Sequence, residues 1–306
     1  MAVVLLNWNG DEDTIECLES LKTLDYPSFD VYLVDNDSQK QSINNIINYL
    51  EKDSFYRSAT VKKDDLSSFK KEDKTNLVFI LNDNNAGFAG GNNVALNYIK
   101  DNVQEGYVLL LNNDTIVSKD LLTAMVSKFN ESDDTGFVGA THYYYHEKDR
   151  IQTLGGGLID LVHGECTAVT QPGTRDEFDF LTGSCILMSC DVLRDVGVMY
   201  EEYFMYWEDV DWSTTARKKG HKLKISDTGY IYHKEGASIK SLSRIYYHTR
   251  NRILYMKRHT SGLVYYKFLI YIVLYVLKES FTNILKNREY SMTLIRGLKD
   301  GLLKII

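Results

Sequence analysis

The sequence predicts an α/β fold, a mainly parallel sheet with helices on both faces, and three observations carry that prediction. Short apolar runs alternate with segments of helical period through the first 140 residues. Polar or glycine-rich segments follow those runs, at the carboxyl ends of strands, where open α/β sheets bind ligands. A basic, amphipathic stretch from residue 241 to 306 adds a helical C-terminal extension.

Ala2–Asn7 is an apolar run opening into Asn7-Trp8-Asn9-Gly10, a buried strand leading to a loop. Asp11 is placed to cap a helix in which Ile15, Leu18, Leu21 and Leu24 recur at three-residue steps, and Tyr26-Pro27 stops it. Phe29–Val34 is the second strand, ending in Asp35-Asn36-Asp37-Ser38, and residues 42–51 read as helix. Glu51–Thr75, rich in Lys, Asp and Ser with few apolar anchors, reads as an exposed insertion. Val78–Leu81 is a third strand, leading through Asn84-Asn85-Ala86-Gly87-Phe88-Ala89-Gly90-Gly91-Asn92-Asn93 into a helix to about Lys100. Tyr107–Leu111 is a fourth strand, Lys119–Phe129 a helix and Gly136–Ala140 a fifth strand. Beyond residue 140 the alternation degrades. Gly155-Gly156-Gly157 and Gly164 suggest a hairpin, Asp179–Ser189 a strand and Trp207–Lys219 a helix. Lys222–Ser226 and Gly229–His233 read as two short strands.

The length of 306 residues suits one large domain or one domain with an appendage. Four cysteines (Cys17, Cys166, Cys185, Cys190) form no CxxC pair and, with no secretory leader, point to the reducing cytosol. Net charge is −7 and no nucleic-acid partner is expected, but residues 240–306 hold 13 Lys and Arg against 3 Asp and Glu. A basic tail on an acidic body predicts an anionic surface as partner, or packing of the tail on its own body. Phe268–Leu277 carries no charge, yet it is shorter than the roughly 20 residues of a spanning helix. Phe281, Leu285, Met292, Ile295, Leu298, Leu302 and Ile305 then follow helical steps among Lys286, Arg288, Arg296, Lys299 and Lys304. Such a helix suits a membrane interface, or burial on the body or on the second subunit of a homodimer.

Asp114, in Asn112-Asn113-Asp114 just past a buried run, is suited to hold Mg²⁺ or Mn²⁺, hard cations that keep oxygen ligands and bridge phosphates. Alone, the segment could equally be a polar turn. Gly87, Gly90 and Gly91 permit close backbone approach to a nucleotide or diphosphate, with asparagine donors beside them. Asp35 could accept from a ribose or base, or cap the next helix. Glu208, Asp209 and Asp211 crowd three carboxylates among Tyr203, Phe204, Tyr206, Trp207 and Trp212. Aromatic flanks beside acids suit a cleft that stacks a sugar and holds a base near it, although acids also favour a helix start. His233, following Tyr-Ile-Tyr, could be a satisfied core residue, and Arg250-Asn251-Arg252 could hold a phosphate or form a solvated or lipid-facing helix edge.

In order, these segments resemble glycosyltransferase family 2, in particular its rhamnosyltransferase-like branch: Asn7-Trp8-Asn9-Gly10, Val34 to Ser38, Asn85 to Asn93, Leu111 to Asp114, Thr182-Gly183-Ser184, Tyr206 to Asp211 and His233-x-x-Gly236-x-Ser238. The resemblance covers about residues 2–258 and implies a GT-A, Rossmann-like fold. Its catalytic domain would span 1–240, with a nucleotide-sugar half to about 115 and an acceptor half over about 116–240, followed by the tail at 241–306. The implied activity is inverting transfer of a sugar, rhamnose favoured, from a nucleotide-diphospho-sugar to a hydroxyl of a glycan or lipid-linked acceptor. Cell-surface polysaccharide synthesis at the inner face of the plasma membrane is the implied setting. By the same resemblance Asn7, Asn9, Asp35, Asn85, Gly87, Gly91, Asn112 and Asn113 would meet the donor, and Gly183, Ser184, Trp207 and Glu208 the acceptor. Asp114 and His233 would hold the divalent cation, Mn²⁺ or Mg²⁺, and Asp209 would be the general base.

Two departures stand out: Asn112 replaces the first acid of the family's DxD motif, and Met199-Tyr200-Glu201-Glu202 stands where the family often has Phe-Asp-Glu. A sugar-phosphate nucleotidyltransferase would carry a glycine-rich basic loop after the first strand, which Asn7-Trp8-Asn9-Gly10 lacks. Asn112 keeps open a sugar-nucleotide-binding protein without turnover, against which Asp114, Asp209 and His233 together argue.

Overall fold

The computed structural model describes residues 1–171, 177–234 and 242–304, so Gly236, Ser238 and Ile305 lie outside the described residues. The first half alternates: β1 (Ala2–Asn7), α1 (Asp11–Leu21), β2 (Asp30–Asp35), α2 (Lys40–Lys52), β3 (Ser58–Lys62), β4 (Leu77–Leu81), α3 (Gly87–Asn102), β5 (Tyr107–Asn112), β6 (Thr115–Val117), α4 (Leu121–Phe129) and β7 (Thr135–Tyr144). The second half brings β8 (Ile151–Thr153), β9 (Gly156–Asp160), β10 (Glu165–Ala168), β11 (Phe180–Leu181), β12 (Cys185–Ser189), α5 (Cys190–Val196), α6 (Glu208–Lys218) and β13 (Lys222–His233). Three helices follow: α7 (Leu242–His259), α8 (Gly262–Asn283) and α9 (Arg288–Leu303).

The main sheet runs β3-β4-β2-β1-β5-β12-β7-β13-β6, with β8 paired to β7. Pairing is parallel from β3 to β5, and β12 enters antiparallel between β5 and β7. Strands of such a sheet are buried on both faces, which is why their sequences are continuous apolar runs. In β1, Val3 and Leu5 join Leu18, Leu21 and Ile46 in one core, while Ala2 and Val4 join Leu96 and Ile99 in another. The register sets Asn7 beside Asp35, Asp35 beside Leu81 and Leu6 beside Asn112, so four polar loops open at one edge. A third core ties Tyr203, Trp207 and Val210 to Ile253 and Leu254 of α7 and to Phe268 and Ile272 of α8.

Several sequence expectations need correction. Glu51–Thr75 is largely exposed, as expected, but it is not a separate insertion: β3 lies in it and pairs parallel with β4, and Tyr56, Val61 and Leu66 are buried. One buried residue, Val61, suffices for an edge strand with only one neighbour to satisfy, and Tyr56 and Leu66 anchor the chain on either side of it. Asp179–Ser189 breaks into β11, which joins a small antiparallel sheet with β9 and β10, and β12, which joins the main sheet. Lys222–His233 is one strand with an irregularity between Ile225 and Tyr230. Gly10, not Asp11, occupies the N-cap of α1, and Asp11 accepts from Asn45 Nδ2 at 2.6 Å. Among the described residues, no helix is long and apolar enough to cross a membrane.

Candidate active site

The loops at the sheet edge are organised from beneath. Asn7 is buried at the end of β1; its Nδ2 donates to Asp35 Oδ2 (2.7 Å), and its Oδ1 accepts from Gly10 N (3.1 Å) and Thr14 Oγ1 (3.0 Å). Asp35, equally buried, takes Ser38 N on its Oδ1 (2.9 Å). The two expected donor contacts, Asn7 and Asp35, therefore face inward and shape the loops above them, because each polar atom is answered within the protein. Ser38 Oγ accepts from Asn9 N (2.8 Å), and Asn9, held at φ 54°, accepts from Gln39 N (2.7 Å).

The glycine run is also used internally. Gly87 has φ +73°, and a Cβ there would sit 2.2 Å from the carbonyl oxygen of Phe204. Gly91 lies inside α3 against Leu6, whose Cδ1 would be 2.6 Å from an added Cβ. The close approach expected of a ligand is made at these positions by the protein's own chain, although Gly87 still borders the cleft.

That cleft, of about 770 Å³, has Trp8, Asn9, Asn85, Asn112, Asn113 and Asp114 on its sheet side. Its other wall includes Phe204 and Tyr206 of the loop before α6, and Arg244 and Tyr247 of α7. Asn113 is anchored by donating to Thr14 Oγ1 at 2.8 Å. Pairing of β13 with β6 brings His233 beside the end of β5, with Nε2 3.3 Å from Asp114 Oδ1 and Nδ1 2.9 Å from Gln152 Oε1. Burial opposes the charge on Asp114, but the facing His233 outweighs it and holds the carboxyl below the ordinary carboxylate range. Asn112 Oδ1 is buried and meets no hydrogen-bond partner among the described residues.

No group of three or more His, Cys, Asp or Glu residues gathers as for a metal ion among the described residues. The donors at this edge are Asp114, His233 and the orphaned Asn112 carbonyl. One carboxylate, one amide oxygen and one imidazole suit Mg²⁺ or Mn²⁺ when substrate phosphates and water supply the remaining oxygens.

A second cavity, of about 600 Å³, lies on the far side of Tyr206 and Arg244, which line both. Asp209 borders it, half-buried, with Oδ2 accepting from Gly183 N (2.9 Å) and Oδ1 from Val210 N (2.8 Å). Gly183 can approach so closely because it has no side chain, since a Cβ there would crowd Asp209 Cβ at 3.1 Å. Burial outweighs the two hydrogen bonds and raises the Asp209 pKa above the ordinary carboxylate range. Glu208 is buried with Oε2 unpartnered among the described residues, and burial plus the charge of Asp209 push its pKa well up. Asp211 turns away, accepting from Arg258 Nε (2.8 Å), Tyr203 OH (2.9 Å) and His259 Nε2 (2.6 Å). Three clustered acids thus take three different places. Trp207 and Glu208 line the cavity, whereas Ser184 is buried with Oγ 2.5 Å from His142 Nε2 and leaves the wall to Thr182. Burial, with the charge of His233 adding to it, pushes the His142 pKa down to about 3, so that ring is neutral.

The loop between the cavities is strained. Phe204, Tyr206 and Trp207 all have left-handed φ, at 65°, 66° and 77°. Arg250 Nη2 donates to the carbonyls of Glu202 and Tyr203, both at 2.7 Å, and the buried Asn251 amide holds the next turn. Arg250 and Asn251, read from sequence as phosphate contacts or an outward helix edge, are therefore turned inward onto the loop, and only Arg252 of that trio reaches a cavity. Arg244, Tyr247 and His248 also line the cavities and were not singled out; their one sequence signal is the aromatic, basic run at the start of α7, while Trp8, quoted only within the first loop motif, lines the first cleft.

Known proteins share this fold. The low-salt glycan biosynthesis hexosyltransferase Agl10 of Haloferax volcanii is 24% identical over 178 residues, 56% of this chain. The match spans 57% of that protein's length. The solved structure of S. aureus TarS 1-349 overlays with a TM-score of 0.58 at 18% identity, covering 98% of this chain and 79% of that one. The mannosyltransferase PcManGT from Pyrobaculum calidifontis, solved with GDP-Man and Mn²⁺, overlays with a TM-score of 0.59 at 11% identity, covering 99% and 86%. At these identities the likeness is one of fold, and the fold is of the GT-A type. The profile described as Glycosyltransferase like family 2 matches residues 1–252, a span that takes in both cavities as far as Arg252, and the chain belongs to that family.

Proposed function

We propose that this chain is an inverting glycosyltransferase that moves a hexose or deoxyhexose from a nucleotide-diphospho-sugar to an acceptor hydroxyl. Two cavities that meet at Tyr206 and Arg244, one edged by Asp114 and the other by Asp209, support this reading. The donor occupies the first cleft, against Trp8, Asn9, Asn85, Gly87, Asn112 and Asn113. Asn7, Asp35 and Gly91 act from beneath by fixing the loops. The acceptor enters the second cavity, against Trp207 and Glu208. Asp209 takes the proton of the acceptor hydroxyl as that oxygen attacks the anomeric carbon from the face opposite the diphosphate. The bond to the diphosphate breaks with its electron pair, and the configuration inverts. Asp114 and His233, with the Asn112 carbonyl, would hold a divalent cation, which when bound offsets charge on the departing nucleoside diphosphate.

PcManGT carries GDP-Man and TarS has been solved with UDP-GlcNAc, which supports a nucleotide-sugar donor here. Agl10, by name a hexosyltransferase of glycan biosynthesis, supports a hexose and a glycan acceptor, and the motif resemblance favours rhamnose. The tail supports work at a membrane surface on a lipid-linked acceptor, on the cytoplasmic side. The test is nucleoside diphosphate release from UDP-, GDP- and dTDP-sugars with Mn²⁺ or Mg²⁺. Metal-dependent release from one donor is expected. A donor that binds and is never turned over, with glycan or lipid-linked acceptors supplied, would leave a sugar-nucleotide-binding protein.

A further inference from the structure

We infer that the second cavity contains a subsite for a phosphoryl group of the acceptor, built on Arg252. This presupposes that the cavity is the acceptor side, and it adds the chemical class of what enters. Arg252 lines that cavity with Asp209 and does not line the donor cleft. Its Nε and Nη2 are buried and meet no hydrogen-bond partner among the described residues. These two nitrogens form the side-on edge of the guanidinium, the fork whose paired N–H groups match two oxygens of a phosphate.

The neighbouring arginines show what an occupied fork looks like in this helix. Arg250 donates Nη2 to two carbonyls, and Arg258 donates Nε to Asp211 at 2.8 Å. Glu165, the acid whose charge acts most on Arg252, instead accepts from Tyr271 OH at 3.2 Å. Tyr271 and Tyr275 of α8 lie under the guanidinium, 5.8 and 5.3 Å from ring centre to its carbon, and the Tyr271 hydroxyl also interacts with it, yet Nε and Nη2 meet no hydrogen-bond partner among the described residues. The outer face of the same helix exposes Ile270, Leu274 and Leu277. An apolar face next to a phosphoryl subsite fits an acceptor phosphate carried on a lipid, and the bare subsite fits one carried on a soluble glycan.

The experiment uses the full chain, without metal, and inorganic phosphate as probe, read by calorimetric titration. Phosphate is expected to bind wild type and to bind Arg252→Gln roughly tenfold more weakly. Arg252→Lys, which keeps the charge and loses the fork, should fall between them. Titration with UDP and GDP, which report the donor cleft, should not change, and Arg296→Gln on exposed α9 serves as the charge control. Should Arg252→Gln fail to fold, Arg252→Lys against wild type carries the same comparison. Equal phosphate affinity in the variant and wild type, or no phosphate binding to wild type, overturns the subsite. Because no transfer is measured, a failed activity screen does not bear on this result. Vesicles of phosphatidylcholine with phosphatidic acid, compared with phosphatidylglycerol, separate the sources. Loss of binding by Arg252→Gln on phosphatidic acid alone assigns a lipid phosphate, and a loss confined to soluble phosphate assigns a soluble acceptor.

Discussion

Asn251, fully buried in α7, donates its side-chain amide to the main-chain carbonyl of Tyr206 at 2.8 Å, and the same nitrogen reaches the carbonyls of Tyr203 and Met205 at 2.9 and 2.8 Å. Tyr206 is in a left-handed conformation and lines both cavities. One amide from a helix distant in sequence thus keeps the partition between the two cavities in shape. Asn251→Ala leaves buried carbonyls unanswered and should lower stability by about 1–3 kcal/mol. Relaxation of the strained turn should reduce kcat/KM further than the stability loss explains. Denaturant unfolding together with kinetics checks this; an unchanged midpoint and unchanged kcat/KM would remove the clamp.

Asp209→Asn keeps one oxygen to accept from Gly183 N, loses basicity, and gives up the hydrogen bond from Val210 N. Turnover should drop by about 10²–10⁴-fold, while nucleotide affinity measured by titration stays at the wild-type level. Wild-type turnover in this variant would sink the assignment of Asp209 as base.

The pH dependence follows from the same group. A general base works deprotonated, so activity falls as pH drops through its pKa. Burial raises that pKa in Asp209 above the ordinary aspartate range, so the acid limb of kcat/KM should lie above the position of an unshifted aspartate. A pH–rate profile whose acid limb stays at an unshifted aspartate position, and does not move on Asp209→Glu, would count against this.

The fold and one side of the site were legible because a parallel sheet buried on both faces writes its strands as unbroken apolar runs and leaves its loops polar. Asn112 to Asp114 could be picked out on that basis, and Asp209 and His233 through the motif resemblance; the structure sets His233 against Asp114 at the sheet edge, while Asp209 borders the second cavity. The direction in which each polar residue points was not legible. Asn7, Asp35 and Ser184 are as polar as Asn9 or Asp114, and only the packed loops decide that they face inward. Asp211 differs from Asp209 by two positions on a helix, a rotation of roughly 200°, and meets Arg258 and His259 instead of a cavity. Arg244, Tyr247 and His248 were hidden for another reason. They reach the site because Ile253 and Leu254 seat α7 in the third core, a long-range contact with no local signature.

The metal side can be tested through the orphaned amide. His233→Ala should weaken Mn²⁺ dependence of donor binding by about 10–100-fold, the usual cost of losing a metal-site residue. Asn112→Asp places a second carboxylate where Asn112 Oδ1 now meets no partner, and should lower the Mn²⁺ concentration needed for half-maximal UDP binding. Titration calorimetry at fixed metal reads both. If neither variant alters the metal requirement, the cation is not held at this edge.

The tail offers the sharpest choice between two surfaces. Along α8 and beyond, Leu263, Ile270, Leu274, Leu277, Phe281 and Leu285 are exposed, Phe281 to 84% and Leu285 to 97%. Lys267, Lys278, Lys286 and Arg288 flank them in sequence. A membrane interface would take up the apolar side chains at about 1.5–3 kcal/mol each when fully buried, and anionic headgroups would add about 1 kcal/mol per basic residue near the surface. Leu274→Glu with Phe281→Glu should therefore abolish binding to vesicles containing anionic lipid, while the melting temperature, set by the buried faces of α7 and α8, hardly moves. Wild-type binding should weaken as salt screens the basic residues. A second subunit covering the same face would give the opposite pattern: the double variant would turn from dimer to monomer in sedimentation, and wild type would ignore vesicles at any salt concentration.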